Sequence, residues 1–139
     1  MSAAKRYLVD ANILLRLLTG EPPPHAIAAR RLFERAHAGE VILDILPFIV
    51  AEAFYTLTSF YRLDRKHAAE RLSVVLQQRG VSVREGQTVQ AALARVQAFN
   101  VAFADAYLAA QAAEEGVPVA SFDRDLDKFQ DITRYEPVA

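Results

Sequence analysis

The chain has 139 residues, 53% of them hydrophobic, and its 16 Lys and Arg nearly balance 17 Asp and Glu for a net charge of −1. That length suits one domain over residues 1–139 with a core large enough to need no staples, and the lack of cysteine excludes disulfides and thiolate zinc sites. No apolar run approaches the ~18 residues of a membrane span, and Met-Ser-Ala-Ala-Lys-Arg precedes no apolar leader core, so a cytoplasmic protein without membrane contact is expected.

Tyr7-Leu8-Val9 reads as a buried strand, followed at once by Asp10 and by a helix with Leu14, Leu17 and Leu18 at helical spacing. Gly20 and three prolines stop it. A second helix is predicted over His25 to Ala38, with Ile27, Ala28, Leu32 and Ala36 on one face, and a short strand at Val41-Ile42-Leu43. Pro47 starts a strongly apolar helix through about Arg62, and Asp64 caps another that stops at Gly80. Val81-Ser82-Val83 is a further short strand, and Gln87 to Phe99 and Phe103 to Glu115 are helices separated at Asn100. Val117 to Ala120 reads as a buried strand, Asp125 to Phe129 as a last helical turn, and Ile132 to Tyr135 as an edge strand. Strands alternating with helices predict an α/β fold with a parallel sheet covered on both faces.

Four carboxylates stand out by their neighbours. Asp10 and Asp123 each follow a strand, at the carboxyl edge where open parallel sheets bind ligands. As plain structure, Asp10 is a turn residue with Asn12 as N-cap, and Asp123 is a cap or turn. Glu52 lies in the most apolar helix, so it either has a partner or faces water. Asp105 is in the first turn of its helix, where an acid complements the helix dipole. A helix antiparallel to its strand is expected to start at the far edge, which separates Asp105 from the others unless Asn100 redirects the chain. Brought together with no basic residue beside them, these acids would repel one another, and a Mg²⁺ or Mn²⁺ ion is the usual resolution. Near-neutral charge argues against a purely electrostatic nucleic-acid binder, but not against an enzyme whose acidic ligands themselves lower the charge.

The segments VDANILLRLLTGEPP, the helix bearing Glu52, FADAYLAAQAAEEG and ASFDRDLDKF, in that order, resemble the PIN-domain family, and more narrowly its VapC-type toxins of toxin–antitoxin pairs. The resemblance runs from about Tyr7 to Phe129. It implies a three-layer α/β/α sandwich on a parallel sheet of four to five short strands, a Mg²⁺- or Mn²⁺-dependent endoribonuclease, an RNA substrate, a cognate antitoxin and a homodimer. By position it implies Asp10, Glu52, Asp105 and Asp123 as the catalytic acids in one pocket, with Asp10, Asp105 and Asp123 on the metal. Asn12 and Ser121 would hold the acids and a metal-bound water, while Asp125 is nearby and Asp127 reads as a solvated helix residue. Ala11 stands where the family more often has threonine, one hydroxyl fewer around the site.

Arg16 and Arg124 are candidates for an RNA phosphate, with solvated helix arginines as the simpler reading; Lys128 is placed likewise. His25 and His67 receive no role. Phe54, Tyr55, Phe60 and Tyr61 exceed what a small core needs, so at least half are expected in the core and the rest on a partner surface. A non-catalytic scaffold or a housekeeping RNA-processing nuclease are the other functions compatible with this pattern. A phospho-aspartyl phosphatase would need an acid at Asn12, and a response receiver an acid pair and a late lysine that are not evident.

Overall fold

The computed structural model describes residues 4–139. Its strands are β1 (Lys5–Leu8), β2 (Val41–Ile45), β3 (Val81–Val83), β4 (Val119–Ala120) and β5 (Arg134–Tyr135). The helices are α1 (Ala11–Thr19), α2 (Pro23–His37), α3 (Pro47–Ser59), α4 (Arg65–Leu76), α5 (Gly86–Phe99) and α6 (Phe103–Glu115), followed by a 3₁₀ turn at Arg124–Lys128. β1, β2 and β3 form a parallel sheet in that order, flanked by helices, with Tyr7 opposite Leu43 and Leu43 opposite Val81. β4 and β5 pair in parallel as a separate ribbon. All five expected strands are therefore parallel but divided three and two. β4 has two residues, because Val117 and Pro118 are exposed and stand outside it.

β2 is the central strand and its Val41, Leu43 and Ile45 are almost wholly buried. It runs two residues beyond the predicted Leu43 and carries Asp44 into the interior. The charge is tolerated because Arg6 on the neighbouring strand donates to both Asp44 oxygens, at 2.9 Å from Nη2 to each, which holds the carboxyl below the usual range. α2 begins two residues before His25, with Pro23 at its first position where a missing N–H costs nothing. Its buried face is Ala26, Ala29, Phe33 and Ala36, rotated from the predicted one, since Phe33 is the larger apolar anchor and Ile27 is left largely exposed. Gly80 ends the loop from α4 to β3 at positive φ, where a Cβ would stand 2.3 Å from the Ala36 carbonyl oxygen.

Asp10 rather than Asn12 caps α1, its Oδ1 accepting the Ile13 N–H at 3.2 Å. The expectation that α6 starts at the far edge is reversed. A helix that leads into a strand and runs antiparallel to it has its first turn at that strand's carboxyl end, and α6 and β4 have this relation. Asn100, in the left-handed region, ends α5 and lets the chain turn into α6. α3 packs on α6, with Pro47, Phe48 and Ala51 sharing a pocket with Phe103, Ala104 and Tyr107 and the Phe54 and Phe103 rings 6.0 Å apart. α3 leaves β2 as α1 leaves β1, so Asp10 and the start of α3 lie at the carboxyl edge of the main sheet. Among the described residues no helix is long and apolar enough to cross a membrane.

Candidate functional site

The turn after β4 is built by three successive side-chain locks. Ser121 Oγ accepts the backbone N–H of Asp123 at 2.9 Å, and Asp123 Oδ1 accepts that of Asp125 at 2.9 Å. Arg134 on β5 then grips the turn from outside. Its Nη1 donates to the Ser121 carbonyl at 3.0 Å and to Glu136 at 2.9 Å, while Nε and Nη2 fork onto Asp127 at 2.9 and 3.2 Å. The fork holds the Asp127 carboxyl below its usual range, and the two carboxylates raise the guanidinium further above its own.

These locks aim Asp123 and Asp125 at the first turn of α6. Each of Asp105, Asp123 and Asp125 offers a carboxylate oxygen within 4.8 Å of the others. Asp105 and Asp125 are half-buried and Asp123 is exposed. Burial raises the Asp105 pKa, and the charges of Asp123 and Asp125 raise it further. Arg65 opposes this in part, from the first turn of α4, where its Nη1 also donates to the Asn100 carbonyl at 3.0 Å. Lys128 Nζ lies 3.6 Å from Asp125 Oδ1. The expectation of a site without basic neighbours is thus corrected: two cations stand at its margin, one from α4 and one from the 3₁₀ turn.

The donor set fits a hard divalent cation, being all carboxylate oxygen with no sulfur or imidazole. An octahedral ion with bonds of about 2.1 Å spans about 4.2 Å between opposite ligands, which falls inside the 4.8 Å limit within which these three oxygens lie. Asp105, held with its charge opposed by burial and two acids, is the carboxylate most relieved by such an ion.

The remaining expected residues lie outside the set of three whose oxygens fall within 4.8 Å of one another. Asp10 is exposed and uses one oxygen as the cap of α1. Glu52 is exposed on α3, five residues after Pro47 opens that helix, so its burial among apolar neighbours is not what the fold provides. Asn12 is exposed beside Asp10, and both line a cleft of about 400 Å³ between α1 and α2. Arg16 lines the same cleft and donates to the Tyr61 hydroxyl at 3.3 Å. Arg124 is exposed in the 3₁₀ turn, and Asp127, exposed as expected, is held by Arg134. Of the four aromatic candidates, Phe54 is buried and Tyr61 half-buried, whereas Tyr55 and Phe60 are 70% and 75% exposed. Arg65 and Arg134 were not singled out by sequence, because they reach their partners from other elements and carry no periodic signature.

A family model described as PIN domain matches residues 7–132. No curated protein matches the chain at a significant level.

Proposed function

Because the chain belongs to the PIN-domain family, whose members are generally metal-dependent nucleases acting on RNA, we propose that it is a Mg²⁺- or Mn²⁺-dependent endoribonuclease. The observation that carries this reading is the meeting of Asp105, Asp123 and Asp125, which come from two elements and face one another at oxygen–oxygen distances suited to a shared ion. Asp105 and Asp123 would hold the ion together with Asp10, and Asp125 adds a fourth carboxylate at the same edge. When bound, the ion lowers the pKa of a coordinated water and offsets charge on the phosphoryl oxygens.

The protein's own residues do the rest. Ser121 fixes Asp123, and Asp123 fixes Asp125, so the turn is set before substrate arrives. Glu52, exposed on the helix that starts beside α6, orients the attacking water, and Asn12 and Ser121 keep the acids and that water in register. Arg16 and Arg124 would meet RNA phosphates. Arg65 and Lys128 temper the negative field at the margin, so a polyanion can approach the acids.

Tyr55 on α3 and Phe60 at its end are large and exposed, which favours a protein partner. The reading consistent with this is a cytoplasmic toxin of a toxin–antitoxin pair, acting as a homodimer and silenced by its antitoxin. The test is cleavage of a mixed structured RNA by the purified protein with Mg²⁺, with Mn²⁺ and with EDTA, beside Asp10→Asn. Metal-dependent cutting lost in the variant is the expected result. Cutting that survives both EDTA and the variant would contradict the site, and metal binding without cutting of any RNA would favour a scaffold.

A further inference from the structure

The nuclease reading leaves His25 without a role and uses Arg16 only for charge. Both line the cleft of about 400 Å³ between α1 and α2, with Asp10, Asn12, Ile13 and an apolar wall. On α2 the lining residues His25, Ala28, Ala29 and Leu32 follow the i, i+3, i+4, i+7 spacing of a single helical stripe. On α1, Asn12 and Arg16 are one turn apart. The cleft exists because the middle of the α2 stripe is alanine, too short to fill the space opposite Asn12 and Arg16. His25 is exposed and so contributes its ring to the cleft and not to the core.

We infer that this cleft is a subsite for a single RNA nucleotide next to the cleaved phosphate, its base lying between the His25 ring and the apolar wall. The lining matches that ligand feature by feature. Ile13, Ala28 and Leu32 offer an apolar surface for a flat base face above the buried Ala29, and His25 offers a ring to stack on it. The Asn12 amide can donate to and accept from a base edge, and the Arg16 guanidinium takes a phosphate oxygen. The volume lies in the range of about 300–1,000 Å³ of ligand sites, room for one unstacked nucleotide and not for a duplex. Asp10 on the rim ties the subsite to the proposed chemistry, so the inference rests on the nuclease reading for its orientation, though not for binding itself.

Binding and cleavage are therefore read separately. In metal-free buffer with EDTA, the ring resonances of His25 and the methyl resonances of Ala28 and Ile13 are followed by NMR as each of the four nucleoside monophosphates is added. Shifts concentrated on these residues and lost in Arg16→Ala support the subsite. Shifts elsewhere, or none, overturn it, and so does movement of the His25 signals with protein concentration alone, which would assign the cleft to a second copy of the chain. For cleavage, His25→Ala is expected to raise KM for a defined RNA about tenfold, more than it alters kcat, the loss of one stacked base. His25→Phe should restore KM, and one abasic nucleotide beside the cut should cost His25→Ala little further. A KM unchanged by His25→Ala, or the same at every abasic position, overturns the proposal. If no RNA is cut but the NMR shifts persist, the nuclease reading fails and the nucleotide subsite stands.

Discussion

The Asp123 carboxylate accepts the backbone N–H of Asp125 at 2.9 Å, so one acid of the site fixes the position of the next. The two acids thus form a unit, aimed at Asp105 by the same turn. Asp125 belongs to that unit and Asp127 does not, although both stand in the same 3₁₀ turn. Asp125→Asn should weaken Mn²⁺ binding by about tenfold or more, on the scale of losses at metal sites, while Asp127→Asn should weaken it much less. Isothermal titration with Mn²⁺ checks both; equal losses would remove Asp125 from the site.

Arg134 holds the turn through Ser121, Asp127 and Glu136 and is itself only 12% exposed at its side chain. Its replacement by alanine frees the turn while leaving the main sheet intact. Mn²⁺ affinity should fall about 10- to 100-fold, as when a group that orients metal ligands is lost, and Arg134→Lys should recover only part because a lysine cannot fork. Ser121→Ala should give a smaller loss of the same kind. An Arg134→Ala variant that binds Mn²⁺ like the wild type would mean that the turn needs no clamp.

Asp105 is a carboxylate whose folded-state pKa is raised, by burial first and then by Asp123 and Asp125. Its contribution to stability is therefore present at pH below its unfolded value and is lost as pH rises through its folded value. At neutral pH without metal the ionised group opposes folding, so Asp105→Asn should raise the melting temperature. Mg²⁺ should stabilise the wild type and not the variant. Protons compete with metal at Asp105, so Mn²⁺ affinity should decline as pH falls into the acid range. Calorimetric melting at several pH values tests the sign, and a lower melting temperature for metal-free Asp105→Asn would contradict it.

Asp10 is the observed cap of α1 and, in the proposed function, a metal ligand, and substitution can separate the two roles. It caps α1 through Ile13, and removing a cap costs about 1 kcal/mol. Asn caps as well as Asp, so Asp10→Asn should leave stability nearly unchanged and abolish cleavage, whereas Asp10→Ala should lose both. Urea unfolding beside an RNA cleavage assay separates the two effects. Activity retained in Asp10→Asn would reduce Asp10 to a cap.

Much of the fold was legible because its signals are local. Pro47 and Asp64 open helices, Gly20 and Gly116 close them, and short apolar runs between helices are strands. What was not legible depends on partners distant in sequence. Asp44 looks impossible in a central strand until Arg6 is beside it. The face of α2 turns on whether Phe33 or Ile27 enters the core, which periodicity alone does not decide. At the site, the acids could be picked out by their strand-end and first-turn positions, but Asp125 joined Asp105 through a turn whose geometry comes from Ser121 and Arg134. Arg65 reaches Asp105 from a helix start 40 positions earlier, so no motif could have placed it. The edge on which α6 begins follows from chain topology, in which α6 leads into β4, and carries no local signal.

A parallel titration of Mn²⁺ binding and RNA cleavage, in wild type and Asp123→Asn, tests the central claim most directly. Half-maximal binding and half-maximal cleavage should occur at the same Mn²⁺ concentration in the wild type, and Asp123→Asn should lose both together. Tight Mn²⁺ binding retained in Asp123→Asn, or cleavage that proceeds without bound metal, would contradict it.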